Sequence, residues 1–482
     1  MLELGVPGVI YSASGVRGKV DEGLSPQLAL RVGRAFGTWL VERAGRDESE
    51  RHPAAIVGMD TRGSGPALEA AVVAGLCASG VEVNRVGVCP TPTIVHALRA
   101  DKFDGGVIVS GSHNPPQWNG LKCLGPDHTF LGEPDLELLA GIFKRPDAWA
   151  SPRWDRWGTV RWYDPKPRYE EEVLGQVNRG AIISRGLKVV VDPGGGAGAG
   201  VTDRLLERAG AKLVTVNAEK LDDHRFPRPL EPVGDALDDL RRAVLDADAH
   251  VGFAHDCDAD RVATVDEKGT VHPEDVGLAL IVADRLATLA SRGKRAVVVT
   301  NVASSMVFDL LAERHGAKVV RTPVGERHLA TKMDELLRGS PPDLEVFGGE
   351  GSCGGVMIPA VNNARDGILA ALLLVDLLAR RNSPISRLVE ELPRLYSTRA
   401  TVAAPPHVGR SKVDELGKQL EREGKQVVRI DHDVKWVTKN EWVLLHPSNT
   451  EPIVRVIAEA RTKERAAELC SEFTSRLERA GG

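Results

Sequence analysis

Short apolar stretches that end in glycine-rich or polar loops recur three times along the first 355 residues of the chain. In each copy, one apolar run leads into a Gly/Ser-rich loop, a second follows a glycine, and a third ends in a polar loop. The first, second and third runs lie at 54–65, 79–87 and 103–115, then at 187–198, 209–217 and 249–261, and finally at 295–305, 315–325 and 344–355. Strand, glycine-rich turn, helix and strand in this order are typical of parallel α/β units.

The three copies begin more than 100 residues apart, which indicates duplicated domains rather than a solenoid. Ligands of open α/β sheets bind beyond the carboxyl ends of the strands. We therefore expect the loops that follow the third run of each copy to carry functional side chains and to face one cleft.

The pattern changes after residue 384. Short apolar strands at 397–404, 425–430 and 441–448 alternate with helical segments at 412–424 and 463–480. This mixture predicts a smaller α+β domain at the end of the chain. Just before it, the apolar stretch 368–379 is too short to span a bilayer and predicts a buried helix.

Composition excludes several classes of protein. With 482 residues the chain is too long for one core, so we expect three or four domains. Its net charge of −5 gives no general attraction to nucleic acid or anionic membranes, and 4% aromatic residues provide few stacking platforms. The six dispersed cysteines form no C-x-x-C pair, and the N-terminal segment lacks the features of a signal peptide. We therefore expect a cytoplasmic protein with no nucleic-acid or membrane partner.

The segment HDCDADR (255–261) places three carboxylates at alternate positions, Asp256, Asp258 and Asp260. In an extended loop these side chains project to the same side, and clustered anions require a cation. An EF-hand is the competing metal site, but Arg261 occupies the position that needs glycine. A solvated acidic turn is the other alternative, and the apolar strands on both sides argue against it. We therefore predict a Mg²⁺ site.

The segment SGSHNPP (110–116) follows an apolar run and contains Ser112. Serine is a weak nucleophile without a base or a metal, and His113 and Lys122 are close in sequence. No G-x-S-x-G elbow is present, so acyl chemistry is not indicated. Taken alone, the segment is equally typical of a turn and helix cap.

Three further loops are candidates for binding. The loops 192–198 and 348–355 are glycine-rich but match neither a Walker A loop nor a dinucleotide fingerprint, and for 192–198 we favour a structural turn. Glu350, in the second loop, suits a bidentate grip on vicinal hydroxyls. The segment SNTEP (448–452) with Arg455 can form a phosphate cradle, although it is equally typical of a helix cap.

Taken together, these motifs resemble the α-D-phosphohexomutases over nearly the whole chain. The matching segments are SASGVRG (12–18), SGSHNPPQWNGLK (110–122), DCDADR (256–261), VGERH (324–328), GGEGSCGG (348–355) and HPSNTEPIVR (446–455). Two departures concern the binding loops. His446 stands where the family often has arginine, and Cys353 lengthens the sugar loop by one residue.

The resemblance implies three similar mixed α/β domains and a smaller C-terminal α+β domain around a central cleft. It implies a phosphoserine at Ser112, a general acid/base at Lys122, and Mg²⁺ as cofactor with a hexose 1,6-bisphosphate as activator. The implied catalytic residues are Ser112, Lys122, Arg17 and His113; the implied metal ligands are Ser112, Asp256, Asp258 and Asp260; the implied substrate ligands are Arg261, Arg327, His328, Glu350 and Ser352; the implied phosphate ligands are Ser448, Asn449, Thr450 and Arg455.

The resemblance also predicts domains 1–155, 156–262, 263–384 and 385–482, and a monomer or homodimer that acts on a phosphosugar. The GGEGS form of the sugar loop favours a phosphoglucosamine mutase. A phosphomannomutase/phosphoglucomutase is the alternative within the family, and a non-catalytic sugar-phosphate-binding paralogue is the alternative of another class. The presence of Ser112, Lys122 and all three aspartates argues against the paralogue.

Overall fold

The computed structural model of the chain describes residues 4–12, 14–46, 51–221, 225–448 and 452–480. The chain divides into two compact units, one formed by Met1–Ile281 with Cys353–Leu388 and the other by Val282–Ser352 with Val389–Gly482. Across the described residues, no helix combines the length and the apolar character that crossing a bilayer requires. The four domain boundaries proposed from the sequence remain predictions.

The first unit begins with a seven-stranded mixed sheet that carries helices packed on it. Its elements are β1 (Val9–Ser12), β2 (Gly15–Lys19), α1 (Pro26–Arg46), β3 (Ala54–Met59), α2 (Gly65–Ala78), β4 (Glu82–Val88), α3 (Thr91–Ala100), β5 (Gly105–Val109), β6 (Trp118–Leu124), α4 (Glu133–Phe143) and β7 (Val160–Trp162). The strand order is β1-β2-β6-β5-β3-β4-β7. Strand β3 pairs in parallel with both β4 and β5, which explains its nearly continuous apolar run.

A second sheet of the same unit has the order β11-β10-β8-β9. Its elements are α5 (Lys166–Leu174), α6 (Arg179–Arg185), β8 (Lys188–Asp192), α7 (Thr202–Ala209), β9 (Lys212–Thr215), α8 (Asp238–Asp246), β10 (Val251–His255) and β11 (Val262–Asp266). Strand β10 is parallel to β8 but antiparallel to β11. The short antiparallel connection between β10 and β11 forces the acidic segment to turn, so our prediction of an extended loop there is wrong.

The chain then continues through α9 (Glu274–Ser291) into the second unit, which contains β12 (Arg295–Asn301), α10 (Val307–Arg314), β13 (Lys318–Thr322), α11 (Glu326–Leu337) and β14 (Leu344–Gly349). Strand β12 is parallel to both β13 and β14, as the third sequence copy predicts. The hairpin β15 (Val356–Ile358) and β16 (Asn362–Asp366) and the helix α12 (Gly367–Arg381) belong to the first unit. Helix α12 is almost entirely buried, which confirms the predicted buried helix.

The C-terminal part of the second unit is an antiparallel sheet of order β17-β21-β20-β19-β18. Helix α13 (Ile385–Glu390), whose first four residues belong to the first unit, comes just before it. The elements of this C-terminal part are β17 (Tyr396–Ala403), α14 (Pro406–Arg422), β18 (Val427–Ile430), β19 (Asp433–Val437), β20 (Trp442–Pro447), β21 (Ile453–Ala460) and α15 (Lys463–Arg479). Helix α14 begins six residues before the predicted start, at Pro406, because proline suits the first turn of a helix. Strands β19 and β21 were not predicted, since each has charged residues between its apolar ones.

Candidate active site and metal centre

Ser112 lies in the loop that joins β5 to β6, and these two strands pair antiparallel. No helix follows the loop, so the helix-cap alternative for this segment is wrong. The serine is buried and has a φ of 49°. A left-handed backbone is uncommon for a residue that carries a side chain and clusters at functional sites. The surrounding structure therefore has to hold the loop in this conformation.

The acidic segment forms the turn between β10 and β11. Asp256, Asp258 and Asp260 are fully buried, and one oxygen from each lies within 4.8 Å of the others. The left-handed Ala259, with a φ of 57°, helps the turn to bring the carboxylates together. The strands on both sides also exclude the helical flanks of an EF-hand.

The serine loop and the acidic turn meet directly. The Ser112 hydroxyl donates a hydrogen bond to Asp256 Oδ2 at 3.0 Å, although the two residues are 144 positions apart. The Ser112 Oγ to His113 Nδ1 distance is 3.5 Å. The structure thus brings the predicted phosphoryl acceptor to the predicted metal site.

Basic side chains offset part of the charge of the acidic turn. The Lys122 ammonium donates to Asp258 Oδ2 at 2.6 Å, and the Thr91 hydroxyl donates to the same oxygen at 2.7 Å. Arg365, which precedes α12, donates to Asp260 Oδ2 at 2.5 Å. Sequence analysis missed Arg365 and Thr91, because neither lies in a motif that marks it.

The remaining carboxylate oxygens fit a hard cation. Within the described part of the chain, Asp258 Oδ1 and Asp260 Oδ1 are buried and have no hydrogen-bond donor. A buried carboxylate oxygen without a donor is costly, and oxygen ligands are the ones Mg²⁺ prefers. The donor set of this turn therefore fits Mg²⁺.

The electrostatics of the three aspartates are unequal. Burial raises the pKa of the Asp256 carboxyl well above its usual range, and the charges of Asp260 and Asp258 raise it further. Burial also acts to raise the pKa of Asp258, but the Lys122 ammonium and the hydrogen bonds from Lys122 and Thr91 outweigh it and hold that pKa well below its usual range. Without a further cation, the turn cannot hold three full negative charges at low energy.

Arginines surround the serine loop on its other sides. Arg17, on β2, donates to Asn114 Oδ1 at 3.1 Å, and the Arg261 guanidinium lies 3.9 Å from oxygens of both Asp256 and Asp260. Burial, followed by the charges of Arg261 and Arg17, lowers the pKa of His113 to about 3. The His113 imidazole is therefore neutral at physiological pH.

A buried arginine outside the predicted site, Arg62, binds the main chain of the serine loop. Arg62 is fully buried, pairs with Asp60 at 3.1 Å, and donates to the main-chain oxygen of Ser112 at 2.6 Å. It lies in the segment DTRGSG, which resembles an ordinary Gly/Ser turn after a strand. Only the fold reveals what its guanidinium contacts.

The part of the predicted sugar loop up to Ser352 lies in the second unit. Glu350 is buried directly after β14, and its Oε1 accepts hydrogen bonds from Asn301 Nδ2 at 3.0 Å and from the Gly325 amide at 2.9 Å. Arg327 and His328 lie in the first turn of α11, which Gly325 precedes. The structure thus brings the segments 324–328 and 348–350 together. The side chain of Ser352 lies outside the described residues.

The predicted phosphate loop connects β20 to β21, so the helix-cap alternative for it is wrong. His446 and Arg455 are directly opposite each other in the register of these strands, which puts their side chains on one face of the sheet. His446 Nδ1 lies 2.6 Å from Asp433 Oδ1 of the neighbouring strand β19. The Ser448 amide donates to the Ile453 oxygen at 3.0 Å. Asn449 and Thr450 lie outside the described residues.

Four family domain models match successive parts of the chain. They are the alpha/beta/alpha domains I, II and III of phosphoglucomutase/phosphomannomutase, at residues 9–148, 167–269 and 274–396, and the C-terminal domain of the same family, at 409–476. Their order along the chain agrees with three related domains followed by a different one.

Similar proteins match over nearly their full length. A phosphoglucomutase/phosphomannomutase of Thermococcus kodakarensis is 36% identical and a "Probable phosphoglucosamine mutase" of Methanopyrus kandleri is 36% identical, over 96% and 98% of each chain respectively. A crystal structure of a phosphoglucomutase/phosphomannomutase family protein from Burkholderia thailandensis has a TM-score of 0.80 and 26% identity, and the match covers 100% of this chain and 98% of that one.

Both the fold and these relatives define the class of protein. The chain belongs to the phosphoglucomutase/phosphomannomutase family, the α-D-phosphohexomutases, which confirms the resemblance seen in the sequence. It is a mutase of phosphosugars, and it carries the acidic metal-binding motif of the family in a form that the structure describes.

Proposed function

We propose that the chain is a phosphoglucosamine mutase that uses Mg²⁺ and a phosphorylated Ser112. It interconverts hexosamine 6-phosphate and 1-phosphate through a 1,6-bisphosphate, which also serves as activator. The observation that carries the reaction is the 3.0 Å hydrogen bond from the Ser112 hydroxyl to Asp256 beside two further buried carboxylates.

Charge explains why this arrangement suits a phosphoserine. Phosphorylation adds roughly −1.5 to −2 charges to a serine at neutral pH. Placed beside Asp256, that charge is tolerated only if cations neutralise it, and Arg17 and Arg261 lie next to the loop. When bound to Asp256, Asp258 and Asp260, Mg²⁺ would supply the remaining positive charge.

The transfer itself needs a proton shuttle and little covalent chemistry from the protein. In the first step, the bond from phosphorus to Ser112 Oγ breaks while a bond to a sugar hydroxyl oxygen forms. The hydroxyl proton passes to Lys122, which we propose as general base in its neutral form, and Ser112 Oγ is released as an alkoxide. In the second step the other phosphoryl group of the bisphosphate leaves its sugar oxygen for Ser112 Oγ, and the protonated Lys122 acts as general acid and returns the proton to that sugar oxygen, so the serine is regenerated in its phosphorylated form.

We assign substrate binding to Arg261 and to residues of the segments 324–328, 348–355 and 446–455. Glu350, Arg327 and His328 are proposed to contact the sugar, together with Ser352. Ser448, Asn449, Thr450 and Arg455 are proposed to hold the phosphate that does not react. Asn301 and the Gly325 amide fix one oxygen of Glu350, which supports its role, because a positioned carboxylate binds hydroxyls with less loss of entropy.

A phosphomannomutase/phosphoglucomutase is the second candidate, and the name of the Thermococcus kodakarensis relative favours it. The names of the Methanopyrus kandleri and Pyrococcus abyssi relatives favour the glucosamine substrate, at 36% and 35% identity. The GGEGS sequence of the sugar loop also favours the glucosamine substrate.

Mutase rates on glucosamine 6-phosphate, mannose 6-phosphate and glucose 6-phosphate, each with its 1,6-bisphosphate, test the proposal. We expect the highest kcat/KM on the glucosamine substrate and no turnover by Ser112→Ala on any of them. A preference for mannose or glucose would favour the second candidate. Turnover of none of the three by the wild-type protein would indicate a non-catalytic paralogue.

A further inference from the structure

The three α/β repeats share a polar residue at the end of their first strand. It is Asp60 after β3, Asp192 at the end of β8 and Asn301 at the end of β12. In each repeat this strand is the parallel neighbour of the strand that leads into the functional loop. The polar residue therefore lies beside that loop.

In the first repeat this polar residue, Asp60, forms a buried ion pair with Arg62. Arg62 Nε donates to Asp60, and the other four N–H groups of the guanidinium donate to main-chain oxygens of the serine loop and of the first residue of β6. These oxygens belong to Ser112 at 2.6 Å, Asn114 at 2.7 Å, Pro115 at 2.8 Å and Trp118 at 2.9 Å. All five donors of the side chain are thus used, three of them on the serine loop and one on the start of β6.

The second repeat contains an equivalent pair at the metal loop. Arg228 Nε donates to both oxygens of Asp192 at 3.0 Å, and its NH2 group donates to the main-chain oxygen of His255 at 2.7 Å. His255 immediately precedes the ligand Asp256. The guanidinium is buried, with 4% of its side chain exposed.

A glycine accompanies each arginine. A Cβ atom on Gly111 would lie 2.7 Å from Arg62 Cζ, and one on Gly194 would lie 2.8 Å from Arg228 Cζ. A side chain at either glycine would collide with the guanidinium group, so both guanidinium groups need a glycine beside them. The third repeat differs, because Asn301 contacts Glu350 directly and Arg321 instead donates to oxygens of the loop after β12.

We propose that Arg62 and Arg228 are separate positioning residues, Arg62 for the phosphoserine loop and Arg228 for the metal loop. Neither needs to touch the substrate. Arg62 holds Ser112 in its left-handed conformation, while Arg228 fixes the first ligand of the metal turn. The proposal rests on the function proposed above, but its test includes measurements that need no sugar.

Lysine substitutions keep the positive charge and remove the fork of donors, so they test geometry. For Arg62→Lys we expect kcat to fall by about 100-fold, as a 1 Å misplacement can cause, with little change in KM or in the Kd for Mg²⁺. For Arg228→Lys we expect the Kd for Mg²⁺ to rise by about 10- to 100-fold, as losses of outer-shell partners do. Arg321→Lys is the matched control and should change neither Mg²⁺ affinity nor Ser112 phosphorylation.

Two measurements on the protein without sugar separate the roles. Titration calorimetry gives the Kd for Mg²⁺, and hydrogen–deuterium exchange reports the amides of 110–118 and 255–261. Arg62→Lys should accelerate exchange only in the first segment and Arg228→Lys only in the second. If a lysine variant fails to fold, Asp60→Asn or Asp192→Asn weakens the same pair with a smaller change.

Two results would overturn the proposal. One is an Arg228→Lys variant that binds Mg²⁺ as tightly as the wild type. The other is that both variants lose kcat and Mg²⁺ affinity together, each in proportion to the fall in its thermal midpoint. A failure of the sugar assays alone would concern the proposed function, since the calorimetry and the exchange do not depend on it.

Discussion

In the acidic turn, the two oxygens of a single carboxylate have different surroundings. Asp258 and Asp260 each engage one oxygen with a basic side chain, Lys122 or Arg365, and each keeps a buried oxygen without a donor in the described structure. Asp256 instead accepts the Ser112 hydroxyl. The turn therefore combines partial neutralisation by the protein with oxygens available to a cation.

The first prediction concerns the charge of Asp258. Asp258→Asn keeps the shape of the side chain but removes one negative charge, so we expect the Kd for Mg²⁺ to rise by about tenfold or more. Titration calorimetry of the protein without substrate measures it. Asp238→Asn, which changes an exposed ion pair with Arg241, is the control and should bind as wild type. Unchanged affinity in Asp258→Asn would remove this residue from the metal site.

At the scale of elements, the hairpin of β20 and β21 places polar side chains in a row across the C-terminal sheet. His446 is paired with Arg455 in the register of β20 and β21, and its side chain contacts Asp433 of the neighbouring strand β19. The 2.6 Å contact with Asp433 engages one nitrogen of His446 in the sheet. Arg455 is accordingly the stronger candidate for contact with a phosphate, because it can donate two parallel hydrogen bonds.

A second prediction follows for this hairpin. Arg455→Ala should raise KM by about tenfold or more while changing kcat less, because the distal phosphate is bound in both the ground state and the transition state. Steady-state kinetics on the preferred sugar phosphate give the two constants. The control is Arg399→Ala, which removes an exposed arginine from β17. A wild-type KM in Arg455→Ala would mean that another group holds this phosphate.

Helix α12 offers a test of stability at the same scale. Asp366 caps it by accepting from the Leu369 amide at 2.8 Å, and the Tyr169 hydroxyl donates to the same buried carboxylate at 2.8 Å. Asp366→Ala leaves both donors without this acceptor, so we expect the free energy of unfolding to fall by about 2–4 kcal/mol.

The control for this third prediction is Thr462→Ala, which removes the cap of α15 at an exposed position. It should cost about 1 kcal/mol, as loss of a single cap does. Thermal midpoints by calorimetry compare the two variants. Equal shifts would show that the Tyr169 contact contributes nothing.

At the scale of the whole molecule, burial controls the chemistry of the six cysteines. All six are unpaired, and five of them are buried, the exception being Cys77. Burial raises the pKa of Cys89 and of Cys123 to about 12. Since the thiolate is the reactive form, these side chains are protected from modification both because they are buried and because they stay protonated.

The fourth prediction is that iodoacetamide at pH 8 leaves Cys89 and Cys123 of the native protein unmodified, while all six thiols react in guanidinium chloride. Peptide mass spectrometry locates the modified residues. Cys77 serves as the internal reference, because it is only partly buried. Rapid modification of Cys89 under native conditions would show that its surroundings open to solvent.

Local sequence was enough to predict most elements. Apolar runs with glycine-rich ends predicted the parallel strands of the three repeats, because a strand buried on both faces has to be apolar throughout. The buried helix α12 followed from its continuous apolar stretch. Strands β19 and β21 escaped prediction, since charged residues interrupt the apolar residues in both.

The sequence alone determined the family and identified Ser112, Lys122 and the three aspartates as candidates, because their motifs are short and contiguous. It did not determine which side chains meet. The contacts of Ser112 with Asp256, of Arg365 with Asp260, and of Arg62 with the serine loop join residues 144, 105 and 50 positions apart. Such contacts arise only when strands from separate parts of the chain pair and bury their loops together, so tertiary structure alone decided them.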